Sequence, residues 1–216
     1  MTALAEVPKM EKTLAGFEQV NRYWDRRSNV VAAKILPGEY YVTRSDEMIT
    51  TVLGSCVAAC IRDRVFGIGG MNHFMLPIHD DPSSFAGNSN RILSSATRYG
   101  NYAMEHLINT ILTNGGHRKN LEVKVFGGGR IISELTDVGR KNIEFVCSYL
   151  ETEGFQVTAK DLGGDSPRKV VYYPKSGRVL MKKLRSLHND TIVQRERRYL
   201  HEIDEQPVVG EIELFT

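Results

Sequence analysis

Residues 50–76 read TTVLGSCVAACIRDRVFGIGGMNHFML, and this stretch decides the fold class. Its threonine, valine and isoleucine side chains favour extended backbone, and the polar residues 62–64 separate two apolar runs. Neither run is followed at once by the apolar repeat of a helix, so the two strands follow one another as a hairpin. This order is untypical of a doubly wound parallel sheet. It predicts a layered α+β sandwich of mixed β-sheets flanked by helices.

Two helices are predicted beyond these strands. Apolar residues recur at spacings of three and four over residues 92–111 and again over residues 143–150. Gly115 and Gly154 follow the two patterns and are suited to end the helices. Short strands lie between and after the helices, so residues 36–184 are predicted to form one domain.

The two ends of the chain differ in composition from this domain. In residues 1–35, charged residues alternate with isolated apolar residues such as Phe17, Val20 and Trp24. Their spacings predict an N-terminal extension that is partly helical, with one amphipathic helix. Residues 185–216 are polar with few apolar anchors, which predicts a C-terminal extension that is partly helical or loose.

Composition excludes several classes of protein. The chain has 28 basic and 26 acidic residues, a net charge of +2, whereas nucleic-acid-binding proteins usually concentrate many more cations. Apolar residues make up 41% of the chain, enough for a packed core. No apolar run approaches the roughly 18 residues of a membrane span, and the first residues lack the apolar segment of a signal peptide. We therefore expect a cytoplasmic protein without membrane insertion.

Cys56 is the first candidate for chemistry. It follows Gly54-Ser55 at the predicted end of a strand, where a glycine lets a substrate carbonyl approach the backbone. Backbone N–H groups at such a turn can form an oxyanion hole, so Gly54 and Ser55 are candidate substrate-positioning residues. A cysteine in an apolar strand is, however, more often a small buried side chain.

The other two cysteines are predicted to be packing residues. Cys60 falls in a predicted strand and Cys147 in the second predicted helix. Three cysteines are too few for a disulfide framework and indicate a reducing compartment. No second cysteine or histidine pair completes a zinc site.

His73 is the candidate partner of Cys56. A hairpin would place the two side by side, and an adjacent histidine activates a thiol as a nucleophile. A structural histidine bonded to the backbone fits this apolar, glycine-rich run equally well.

Thr50 and Thr51 precede the turn, and such a site needs a third group that orients the imidazole. The run Gly127–Gly129 lacks the lysine of a phosphate loop and predicts a tight turn beside the site.

These blocks closely resemble the chemoreceptor glutamine deamidases, the CheD family. The resemblance covers residues 36–184 and rests mainly on residues 50–58 and 67–77. Shorter matches lie at residues 37–40, 126–129, 138–142 and 161–164. The order and spacing of all these blocks agree with the family.

The resemblance implies a Cys–His–Thr catalytic set. Cys56 matches the nucleophile and His73 the base, and the family threonine, six residues before the cysteine, selects Thr50 rather than Thr51. The implied fold is similar to that of toxin-type glutamine deamidase domains. No metal or organic cofactor is implied.

The implied reaction converts specific glutamines of methyl-accepting chemoreceptors to glutamate, with release of ammonia through a cysteine thioester, in chemotaxis adaptation. The implied partners are the cytoplasmic helices of those receptors and a CheC-type phosphatase. An alternative role is that of a regulatory binding partner of this phosphatase in the chemotaxis array. The chemistry alone also allows a thiol hydrolase that acts on small molecules.

Overall fold

The computed structural model describes residues 10–77, 95–131, 138–184 and 189–205. Over residues 36–184, the described strands and helices follow one another in the predicted order. Within the described residues the strands are β1 (Asn21–Asp25), β2 (Val30–Lys34), β3 (Tyr40–Thr43), β4 (Glu47–Leu53), β5 (Val57–Asp63), β6 (Gly69–Asn72), β7 (Leu121–Gly127), β8 (Val157–Leu162), β9 (Arg168–Tyr173) and β10 (Arg178–Lys183). The helices are α1 (Ser95–Thr113), α2 (Val138–Thr152) and α3 (Asn189–Glu205), with a short 3₁₀ turn at Arg118–Asn120.

The strands form two mixed sheets of five strands each. The first sheet has the order β1-β2-β4-β9-β10, in which β2 and β4 are parallel and the other pairs antiparallel. The second has the order β3-β6-β5-β7-β8, in which β7 and β8 are parallel and the other pairs antiparallel. This arrangement confirms the predicted α+β sandwich of mixed sheets.

The core forms around β5, the middle strand of the second sheet. The first five residues of β5 are buried whichever face they point to, which explains their unbroken apolar run. Helices α1 and α2 both contact this strand. One apolar cluster joins both sheets to these helices and includes Ile49, Val170, Met104 and Val146. The chain order therefore places the start of β5 deep inside the domain.

The N-terminal segment corrects the sequence prediction. Residues 10–35 contain no helix; they contain the hairpin of β1 and β2 instead. Phe17 packs edge-on against the rings of Tyr40 and Tyr41, each with centroids 5.2 Å away. The spacings of the apolar residues also fit a helix, but the pairing of β2 with β4 stabilises the extended backbone. The N-terminal hairpin thus forms one edge of the first sheet, beside β4.

Cys147 is a second correction. It is exposed on α2, although the sequence analysis predicts a packing residue at this position. Val146 and Leu150 face the core, and the next residue along a helix points about 100° away. Cys60 is buried in β5, as predicted.

Helix α3 lies against the domain rather than apart from it. Ile192, Leu200 and Ile203 are buried, and Tyr199 packs over Gly38. A Cβ atom on Gly38 would lie only 2.6 Å from the Tyr199 hydroxyl, so this approach requires a glycine. The predicted polar loop over residues 77–88 falls almost wholly outside the described residues. None of the helices described is long and apolar enough to cross a membrane.

Candidate active site

Cys56 lies where the chain passes from one sheet to the other. Strand β4 belongs to the first sheet and β5 to the second, and Gly54, Ser55 and Cys56 connect them. The side chain of Cys56 is fully buried. In a connection between two sheets, some N–H groups are not paired in the hydrogen bonds of either sheet. This turn therefore has donors that can bind a ligand.

The glycine turn after β7 braces this connection. The N–H of Gly128 donates to the Cys56 carbonyl at 2.8 Å, and the N–H of Gly129 donates to the Gly54 carbonyl at 2.7 Å. The turn therefore lies beside the candidate site, as predicted. The glycine turn binds the carbonyls of the residues that connect β4 to β5, and the N–H groups of these residues point away from the glycine turn.

His73 lies beside Cys56. Val57 and Phe74 exchange two backbone hydrogen bonds of 2.9 Å as an antiparallel pair, so Cys56 and His73 lie diagonally across this pair and on the same face of it. A ring nitrogen of His73 lies within 4.8 Å of the Cys56 sulfur, and His73 is only 1% exposed. The hairpin thus produces the proximity expected from the sequence, while the catalytic roles of the two residues stay a prediction.

Thr51, and not Thr50, contacts the imidazole. The Thr51 hydroxyl lies 2.7 Å from Nδ1 of His73, whereas the Thr50 hydroxyl donates to the Val170 carbonyl at 3.1 Å. Neighbouring residues of a strand point to opposite faces, so only one of the two threonines can face the histidine. The structure therefore brings Thr51 to the imidazole and places the Thr50 hydroxyl elsewhere, while a catalytic role for Thr50, which the family spacing selects, stays a prediction.

The Thr51 contact sets the tautomer of His73. The Thr51 hydroxyl donates its proton to the Ile35 carbonyl at 2.9 Å, so toward the histidine it accepts from Nδ1–H. Nε2 then carries the lone pair, and this buried nitrogen makes no hydrogen bond within the described residues. A lone pair on a histidine beside a thiol is what a general base requires.

A matched pair of variants separates the two threonines. We expect Thr51→Val to lower kcat by about tenfold or more, with KM little changed, because the imidazole loses the acceptor that orients it. Thr50→Val removes the same hydroxyl group from the opposite face and is expected to keep kcat within about threefold. Steady-state kinetics of both variants measures this. A larger loss for Thr50→Val would restore the choice made from the family spacing.

Asn142 of α2 is a positioning residue that the sequence reasoning left without a role. Its amide donates to the Ser55 carbonyl at 2.8 Å, and its carbonyl accepts from the Leu76 N–H at 2.9 Å. The side chain is fully buried. One residue thus ties the turn that carries Cys56 to the segment just after His73. Its place in the resemblance block Val138–Asn142 was the available signal.

Asn142→Asp is expected to destabilise the domain by about 2 kcal/mol, because a carboxylate would face the Ser55 carbonyl where a donor now lies. Asn109→Asp makes the same change at an exposed position of α1 and is expected to cost less than about 0.5 kcal/mol. Urea unfolding of the two variants compares them. Equal losses would show that the Asn142 bonds contribute little.

Glu196 of α3 is the residue that the sequence reasoning missed. Its carboxylate accepts from the Gly54 N–H at 2.8 Å and the Ser55 N–H at 2.9 Å, and the Cys56 N–H lies 3.5 Å away. The Ser55 hydroxyl also donates to it, at 2.6 Å. Gly54 makes this approach possible, since a Cβ atom there would lie 2.8 Å from the carboxylate and would overlap the Ile131 side chain.

The two candidate catalytic side chains are both neutral in this arrangement. Burial, followed by the Glu196 charge, raises the pKa of the Cys56 thiol well above its usual range. Burial, followed by repulsion from Arg195, lowers the pKa of His73 to about 3. The buried pair therefore holds a thiol and a neutral imidazole at pH 7.

Cys56, His73 and Glu196 are also the one group of three metal-ligand types that converges within the described ranges. Cysteine, histidine and carboxylate are all zinc ligands. Both carboxylate oxygens, however, already accept hydrogen bonds from the turn. We therefore assign the carboxylate to hydrogen bonding and draw no metal site.

Comparison with known proteins identifies the family of this chain. The family profile described as CheD chemotactic sensory transduction matches residues 75–183. A protein of Halorhodospira halophila, named probable chemoreceptor glutamine deamidase CheD, is 61% identical over 203 residues, which are 94% of this chain and 93% of that protein. The chain belongs to the CheD family.

Other CheD family members show the same extent of similarity. Proteins of Hahella chejuensis and Methylobacillus flagellatus bear the same name and are 53% and 52% identical, over 94% and 90% of this chain. The matches cover 94% and 95% of those two proteins. Similarity to family members therefore extends beyond residues 36–184 into the terminal segments.

Proposed function

We propose that this chain is a cysteine-dependent protein-glutamine deamidase that converts glutamines on methyl-accepting chemoreceptor helices to glutamate in chemotaxis adaptation. One observation carries the proposal: Cys56 lies beside His73 at a turn whose N–H groups already bind a carboxylate. Membership of the CheD family, with relatives named as probable chemoreceptor glutamine deamidases, supports the choice of substrate.

In the first step Cys56 attacks the side-chain amide carbon of the substrate. Nε2 of His73 takes the thiol proton, and a bond forms between the sulfur and the amide carbon. The carbonyl electrons move onto oxygen, and the N–H groups of Gly54, Ser55 and Cys56 supply the hydrogen bonds that stabilise this charge. Each such donor lowers the barrier by roughly 3–4 kcal/mol.

In the second step the carbon–nitrogen bond breaks. His73 returns its proton to the leaving nitrogen, so ammonia departs and a thioester remains. His73 then takes a proton from water, which attacks the thioester carbon. The carbon–sulfur bond breaks, and His73 passes the proton to the departing sulfur, which restores the thiol and the neutral imidazole. Amide and water thus give carboxylate and ammonium, and Thr51 holds the imidazole throughout. The residues in place supply every proton transfer without a cofactor.

The partners follow from the substrate. We expect the protein to act in the cytoplasm, on the helices of the receptor's cytoplasmic domain. Binding to a CheC-type phosphatase stays a prediction of the family resemblance.

Mass spectrometry of a receptor cytoplasmic domain tests the function. We expect each event to add about 1 Da at a glutamine and to release one ammonia, because the thioester route exchanges an amino group for a hydroxyl group. Free glutamine at the same concentration serves as the control. Ammonia from free glutamine with no change in the receptor domain would identify a small-molecule thiol hydrolase instead.

A further inference from the structure

Helix α3 closes the candidate active site. Cys56 and Glu196 are fully buried and His73 is 1% exposed, so no side chain of another protein can reach the sulfur in this arrangement. The atoms that cover the turn belong to α3, because the carboxylate on its N–H groups is that of Glu196. A protein that acts on other proteins must open this cover.

Polar contacts hold α3 on both sides of Glu196. Nη2 of Arg195 donates to the Val52 carbonyl at 2.9 Å. The Tyr199 hydroxyl is hydrogen-bonded to the Tyr99 hydroxyl on α1. Both contacts come from side chains on α3, so neither uses the backbone hydrogen bonds that hold the helix itself together.

The group that fills the turn has the chemistry of the product. Deamidation of a glutamine on a receptor helix leaves a glutamate side chain on a helix, and Glu196 is a glutamate side chain on a helix. Its oxygens accept hydrogen bonds from the donors that stabilise the substrate oxygen during the reaction. It does not act as the third member of the catalytic set, because Thr51 already occupies Nδ1 of His73.

We propose that α3 occupies the substrate site of its own chain as a product-like helix, with Glu196 in the oxyanion pocket, and that a receptor helix must displace it before Cys56 reacts. This inference rests on the proposed function for the identity of the displacing helix. Displacement exposes Cys56 to water and removes the Glu196 charge beside it, and both changes favour the thiolate.

Thiol alkylation tests the closure without any receptor. Cys147→Ser first removes the exposed thiol, and Glu196→Gln is then compared with Glu202→Gln, the same change on the exposed face of α3. We expect iodoacetamide to modify Cys56 at least about tenfold faster in Glu196→Gln, because a neutral amide loses the charge-assisted hydrogen bonds to the turn. Glu202→Gln is expected to match the parent. Peptide mass spectrometry gives the rate at each cysteine and checks that the new amide at position 196 is intact, because the proposal makes a glutamine there an internal substrate. Conversion of that amide to glutamate would itself support the proposal.

Cys60 reports whether a variant is folded. It is buried in β5, so it stays unmodified in a folded domain and reacts in an unfolded one. Tyr199→Phe is a milder second variant, which loses only the hydroxyl contact with Tyr99 and is expected to speed Cys56 alkylation to a smaller extent. Fast modification of Cys56 with slow modification of Cys60 supports the proposal. Equal Cys56 rates in Glu196→Gln and its parent overturn it.

Activity on the receptor domain distinguishes closure from catalysis. An internal competitor predicts that Glu196→Gln raises kcat/KM, whereas a catalytic role for Glu196 predicts that kcat falls. A fall in kcat would therefore overturn the inference and leave the deamidase function standing. Faster alkylation with no change in any receptor glutamine would support α3 as the cover of Cys56. The same result would overturn the proposed function, and with it the receptor helix as the ligand that displaces α3.

Discussion

Cys56→Ala is expected to reduce ammonia release from a receptor cytoplasmic domain by at least about 10⁴-fold. The variant lacks the sulfur that bonds to the amide carbon, and the remaining N–H groups of the turn stabilise charge without supplying a nucleophile. The loss appears in kcat, because the oxyanion pocket and the surface that binds the receptor stay in place. A coupled ammonia assay under saturating receptor measures it.

Cys147→Ala is the matched control for this loss. It removes a thiol from the exposed face of α2 and is expected to leave kcat unchanged. Binding to the receptor domain in a pull-down should persist in Cys56→Ala, which separates catalysis from a purely regulatory role. If Cys56→Ala kept its activity within tenfold of the parent, the thioester mechanism would be wrong.

His73→Asn is expected to lower kcat by at least about 100-fold. An amide cannot accept the thiol proton at neutral pH, so the attacking thiolate is no longer formed in place. The same variant also lacks the acid that protonates the leaving ammonia. Both losses precede or accompany the release of ammonia, so the single-turnover rate of ammonia formation measures their combined effect.

His117→Asn provides the comparison for His73. His117 is exposed and its ring lies near that of Phe66, with centroids 5.1 Å apart. We expect this variant to retain full kcat. A purely structural His73 would instead give a variant with lowered thermal stability and unchanged kcat, which is the other role that the sequence allows for this residue.

The fold class and the main pair of the site follow from local sequence. Apolar alternation and turn residues place the strands around β4, β5 and β6, and the helical repeats place α1 and α2, because these patterns report which face of each element is buried. The short hairpin between Cys56 and His73 then brings both to one place. Proximity along the chain made this part of the site predictable.

The first 35 residues show where the same reasoning fails. Apolar spacings of three and four fit a helix, yet the described residues form the hairpin of β1 and β2. Backbone pairing with β4 stabilises the extended form, and no local pattern reports a partner strand that comes later in the chain. The prediction for Cys147 is wrong for a more local reason: neighbouring residues of a helix point in different directions, so a residue next to a buried one can be exposed.

The sequence by itself determined the α+β class, the candidate nucleophile and the candidate base, because each depends on residues close together in the chain. Only the tertiary structure shows that the Thr51 hydroxyl, and not that of Thr50, contacts His73, since this depends on which face of β4 meets the histidine. It alone placed Glu196 on the turn, 140 residues beyond Cys56. A contact of that separation depends on how α3 packs against the finished domain.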